Sequence, residues 1–100
     1  MKITPNKTYT FKLVSGEEFL ARVEEVHDTH LIVSHPISTV VTSQGLQMVP
    51  ALFSSNLEEN VWLNNNSYTM VATPREDVAD SYLQATTGIS VPPRKQIITG

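Results

Sequence analysis

The sequence predicts a mainly β domain: a five-stranded, strongly bent antiparallel small barrel carrying one C-terminal α-helix. Three observations predict it. Apolar and polar side chains alternate over residues 8–14 and again over 17–26, the two-residue period of a half-buried strand. Turn-forming clusters separate the apolar runs, at Ser15-Gly16, at His27-Asp28-Thr29 and at Asn64-Asn65-Asn66-Ser67. After Ala72 the period lengthens to that of a helix.

In the first strand Tyr9, Phe11 and Leu13 share one face against Thr8, Thr10 and Lys12. The second places Phe19, Ala21 and Val23 on one face and Leu20, Arg22 and Glu24 on the other. A third begins at His30 with Leu31-Ile32-Val33. Pro36 has no amide to give a ladder, which predicts a bulge or bend there before the strand resumes over 37–42. Gly45 closes a polar break, and an apolar run over 46–53 follows, interrupted by Pro50. Residues 54–60 are rich in turn formers and predict a loop, Val61-Trp62-Leu63 returns to the sheet, and residues 68–72 form the last strand.

Thr73-Pro74-Arg75-Glu76 has a hydroxyl for the N-cap, proline at the first helical position and glutamate at the third, a capping box that predicts a helix over about 74–87. Val78, Ala79, Tyr82, Leu83 and Ala85 recur at helical spacing opposite Asp77, Asp80 and Gln84, and Gly88 supplies a stop with Ile89 beside it. Residues 1–89 then make one domain and residues 90–100 an extended tail, Ser90-Val91-Pro92-Pro93-Arg94-Lys95 being its clearest part.

A chain of 100 residues buries only about 60–65% of its unfolded surface, so association is a natural way to bury more. Cysteine is absent, which excludes disulfides and thiolate metal sites. The first residues lack an apolar targeting core and nothing later approaches a membrane span, from which a cytoplasmic location is expected. The net charge is −3, yet its distribution says more: no lysine or arginine lies between residues 23 and 74. A nucleic-acid surface built from that half alone has no permanent cation to neutralise phosphate.

The run Leu13-x-x-Gly16-x-x-Phe19-x-Ala21-x-Val23, followed by Asp28-x-His30-Leu31-Ile32-Val33, resembles the first motif of Sm and Sm-like (LSm) proteins. Val61-Trp62-Leu63-Asn64-Asn65-Asn66-Ser67-Tyr68 looks like the strand, tight turn and strand that close such a barrel. The Ser15-Gly16-Glu17-Glu18 turn, the Pro50 region leading into Leu52-Phe53, Glu59-Asn60-Val61 and the Thr73-Pro74-Arg75-Glu76 helix start are similar to small Sm-like proteins encoded by marine cyanobacterial phages. The resembling segments cover about half the chain. The resemblance implies a homo-oligomeric ring in which Val61, Trp62, Leu63, Tyr68 and Met70 form the subunit interface. It also implies a single-stranded RNA site at Asp28, His30, Asn64 and Asn65, in a host cell's cytoplasm if phage-encoded. Ala21 stands in place of a usual glycine, His30 in place of a base-contacting asparagine, and Asn64-Asn65 in place of an arginine-glycine pair. The family helix usually precedes the barrel, whereas this one follows it.

Each candidate site has a plain structural reading beside the functional one. Histidine can stack on a base and asparagine can read its edge, but aspartate and asparagine are also ordinary turn residues. Arg22, Arg75 and Arg94 would assist an RNA rim only if they face it. His27-x-x-His30 with Asp28 carries metal-compatible atoms without a fixed third and fourth ligand, so no metal or other cofactor is assigned. Trp62 and Tyr68 suit core or subunit contacts as well as base stacking. Ser34 and His35, adjacent in a strand, point to opposite faces, and the carboxylate pairs at 17–18, 24–25 and 58–59 fall at turns and strand ends; no catalytic residues are assigned. The expectation is a non-enzymatic Sm-like ring protein that binds single-stranded RNA, or alternatively a phage accessory or assembly module that keeps the ring and lacks the RNA site.

Overall fold

In the computed structural model, residues 2–87 are described. Six strands, β1 (Lys7–Leu13), β2 (Glu18–Val26), β3 (His30–Thr42), β4 (Gly45–Pro50), β5 (Val61–Asn64) and β6 (Tyr68–Ala72), precede one helix, α1 (Glu76–Thr87). All pair antiparallel in the order β4-β3-β2-β1-β6, with β5 on β3. The mainly β antiparallel architecture with a C-terminal helix is as expected. It differs in having six strands and in staying open, because β5 and β6 are joined end to end by a 3-10 turn (Asn65–Ser67) and do not pair with each other.

The bend in β3 makes this arrangement possible. Leu20 pairs with Ile37 and Arg22 with Ser34, so three steps along β3 oppose two along β2. The extra residue is absorbed at His35, whose φ of 50° is unusual for a residue other than glycine. Beyond this bulge the flank of β3 away from β2 changes partner: His30 to Val33 pair with β5, and Ile37 to Thr42 pair with β4. The bend expected from Pro36 is therefore present one residue earlier, where a side chain tolerates the kink that proline's fixed ring cannot. Gly16, at φ 97°, turns β1 into β2, and Gly45, at φ 106°, turns β3 into β4; both lie in the region that L side chains avoid.

Alternation delivers the core. Tyr9, Phe11, Phe19, Ala21, Val23, Leu31 and Val33 are buried together, with Leu13, Val61, Leu63, Tyr68 and Val71 packed around them. Phe11 sits at the centre, stacked on Phe19 and edge-on to Tyr68, each at 5.1 Å between ring centroids. Ala21 lies opposite Tyr9 in the ladder and is fully buried, a position where a larger side chain would compete with the rings.

Leu20 points to the other face and is equally buried, on the side where α1 lies. There the bulge leaves strand carbonyls outside the ladder, and the Tyr82 hydroxyl donates to those of Ser34 (3.2 Å) and His35 (2.8 Å). Ser34 Oγ in turn donates to Glu24 Oε2 at 2.6 Å, and Arg22 Nε reaches the same oxygen at 3.1 Å. The helix begins at Glu76 rather than at 74, with the Ala79 amide donating to the Arg75 carbonyl. Its inward stripe is the buried Tyr82 with the half-buried Val78, Ala79 and Thr86; Leu83 and Ala85, expected on that side, are exposed. Gly88, Ile89 and the tail over 90–100 fall outside the described residues.

Candidate functional site

Two turns meet at one end of the sheet. β5 pairs with the start of β3 so that Asn64 faces His30, Leu63 faces Leu31 and Trp62 faces Ile32. Leu31, Leu63, Val33 and Val61 point into the core, which sends His30, Ile32, Asn64 and Trp62 outward together. The register thus gathers Asp28, His30, Asn64 and Asn65 at one end, as the sequence predicts.

The asparagines are engaged in holding that end together. The Asn65 amide donates to the Thr29 carbonyl (3.0 Å) and its side-chain Nδ2 to the Asp28 carbonyl (3.1 Å). Its Oδ1 accepts from the Tyr68 hydroxyl at 2.9 Å, and burial pushes that phenol's pKa up, which keeps it a donor. Asn64 Oδ1 accepts from the Asn66 amide at 3.0 Å and caps the 3-10 turn, while Ser67 Oγ donates to the Asn64 carbonyl at 2.6 Å. Asp28 enters this network through its backbone. These contacts stitch the β2–β3 turn to the β5–β6 turn, and they engage both polar side-chain atoms of Asn65 and the Oδ1 of Asn64, atoms an asparagine would use to read a base.

His30 is the middle ring of a column. Its imidazole lies against the Trp62 indole with centroids 3.4 Å apart and planes 10° apart. On the other side His27 stacks on it at 4.6 Å and 20°. Because β3 runs between β2 and β5 here, the neighbours lie on opposite faces of His30. Both faces of the His30 ring are therefore covered. Its Nδ1 is 2.9 Å from Thr29 Oγ1, and His27 Nε2 is 2.7 Å from Glu25 Oε1. The free aromatic face at this end belongs to Trp62, whose residue is 63% exposed. A core role for Trp62 does not hold in the described chain, since its side chain lies on the outer surface of β5. The column was not foreseen from sequence, although the spacing of Trp62 two residues before Asn64 placed it on the same strand face as Asn64.

Of the arginines expected to assist, Arg94 lies outside the described residues, and Arg22 and Arg75 are paired with other groups. Arg22 is bonded to Glu24 and to Asn6 Oδ1 (3.3 Å), and Arg75 forms a two-pronged pair with Asp77 at 3.1 and 3.0 Å. That guanidinium holds the Asp77 carboxyl below its usual range. Among the described residues, no three histidine, aspartate or glutamate side chains gather at metal-binding geometry, His27 and His30 included. No helix among them is long and apolar enough to cross a membrane.

Five residues expected at a subunit interface fall on two strands with free outer edges. Among the described residues, β5 pairs only with β3 and β6 only with β1. Trp62 and Met70 are well exposed, at 63% and 66%, while Val61, Leu63 and Tyr68 are half-buried. Fold and site together define a class: a bent antiparallel mainly β sheet, compatible with an Sm-like sheet, with a C-terminal helix and, among the described residues, unpaired outer edges on β5 and β6 as well as on β4. No family model matches the chain, and no curated protein matches it either.

Proposed function

We propose that this chain is a non-enzymatic, Sm-like subunit that assembles with copies of itself through β5 and β6 and serves as a protein-assembly module. The observation that carries this reading is the free outer edges of β5 and β6, which differ from the third free edge, that of β4, in having no proline. A strand edge with unpaired amides and carbonyls is a template for another strand, and soluble proteins normally blunt such edges with charge, proline or a cover. Neither β5 (VWLN) nor β6 (YTMVA) carries a charge or a proline. Pairing the β5 edge of one copy with the β6 edge of the next is a head-to-tail contact, which closes into a ring when the rotation permits. The test places charge on an edge. Met70→Lys, at an exposed position, should lower the assembled mass measured by analytical ultracentrifugation while leaving the circular dichroism spectrum unchanged; an unchanged mass would contradict the reading.

The second reading, single-stranded RNA binding at Asp28, His30, Asn64 and Asn65, is favoured by one observation, the exposed ring column of His27, His30 and Trp62. Aromatic platforms stack bases with little regard to sequence. Against it stand the engaged asparagines, the covered faces of His30 and the absence of lysine and arginine from residues 23–74. A filter-binding titration with uridine-rich and adenine-rich oligonucleotides at two salt concentrations decides it. Binding at low salt that is lost in Trp62→Ala supports the column as the platform, and no binding at low salt removes RNA from the account.

A further inference from the structure

Two adjoining cavities lie along the side of the sheet where α1 ends. The first, of about 200 Å³, is lined by Ile37, Pro50, Leu57 and, from the last turns of the helix, Ala85 and Thr86. The second, of about 340 Å³, is lined by Phe19, Val33, Leu52 and Leu63. Both include Pro36 and Val61, so they form one groove running from the end of α1 along β5 toward Ser67 in the turn that follows it. Its walls are mainly apolar, and each half carries one carboxylate, Glu59 in the first and Glu17 in the second.

We propose that the groove is the docking site of this chain's own C-terminal segment, residues 89–95, bound in cis. Three facts single out that occupant. The helix ends at Thr87 with Ala85 and Thr86 already in the groove wall, so the chain leaves α1 at the groove's mouth. Thirteen residues follow, and they begin Gly88-Ile89-Ser90-Val91-Pro92-Pro93-Arg94-Lys95, alternating apolar groups and a proline pair ahead of two cations. Fully extended, the eight residues 88–95 reach roughly 26 Å, enough to pass from one cavity into the next. The chemistry matches along the path. Ile89, Val91 and the prolines suit apolar walls, a proline pair loses little entropy on ordering, and Arg94 and Lys95 meet a surface with acids but no lysine or arginine between residues 23 and 74. This inference does not depend on ring formation or on RNA.

Since the chain has no cysteine, a nitroxide can be placed at one position of the full-length protein through Val91→Cys. In uniformly methyl-labelled protein the nitroxide is expected to erase the methyl signals of Ile37, Leu52 and Leu57, and reduction with ascorbate should restore them. A mixed sample, with nitroxide only on isotope-free chains, should keep those signals. Retention of the signals in the uniform sample would overturn the proposal, and so would their loss in the mixed sample, which would place the segment on another copy. Leu57→Asp, a change at an exposed position, should bring back the Ile37 and Leu52 signals in the uniform sample; their continued loss would also count against the groove.

Discussion

The His30 imidazole lies flat on the Trp62 indole, with ring centroids 3.4 Å apart. Trp62 is the sole tryptophan of the chain, so its fluorescence reports this contact alone. An imidazole in van der Waals contact with the indole face shapes the surroundings of the excited ring. His30→Leu is therefore expected to change the intensity and position of the emission, whereas His27→Leu, which acts only through the far side of His30, should change it much less. Emission unaltered by His30→Leu would contradict the stacked geometry.

Asn65 is expected to behave as a structural residue. Asn65→Ala removes its bonds to the Asp28 carbonyl and to the Tyr68 hydroxyl, which should cost about 1–2 kcal/mol in urea denaturation. A change without effect on stability would show that the two turns are not held together as described.

Tyr82 should make the fold sensitive to alkali. Burial raises its pKa from 10 to about 12, so folding favours the neutral phenol. A raised folded-state pKa means that this contribution is complete below pH 10 and disappears as pH climbs through about 12. Tyr82→Phe should lose about 1–2 kcal/mol at neutral pH, since one proton shared by two carbonyls goes missing. Its stability should then fall less steeply than the parent's across that alkaline window. Comparison with the parent isolates Tyr82 from Tyr9, whose pKa is lowered chiefly by the Thr4 hydroxyl.

Gly16 has open space around it, so the only obstacle to a side chain is its φ of 97°. Gly16→Ala should therefore destabilise by about 1 kcal/mol through backbone strain alone. Differential scanning calorimetry would show a lowered Tm with an unchanged near-ultraviolet spectrum.

Much of the sheet was legible because it depends on local alternation. Tyr9, Phe11, Phe19, Ala21 and Val23 fall on the expected face, and the kink announced by Pro36 is there, at His35. Long-range facts were not legible. The stack of His30 on Trp62 follows from the register of β5 against β3, which no window of sequence contains. The rotation of α1 is set by Tyr82 reaching the carbonyls freed at the bulge, and this turns Thr86 inward where Leu83 and Ala85 had the better hydropathy. The meeting of Asp28, His30, Asn64 and Asn65 was readable from the resemblance, whereas the hydrogen bonds that occupy the asparagines required coordinates.

The open edges of β5 and β6 are the centre of this account, and the mass of the protein in solution tests them most directly. Multi-angle light scattering at micromolar concentration should give a closed multiple of the chain mass, unchanged over a tenfold dilution. A monomer mass at that concentration would contradict assembly through these edges.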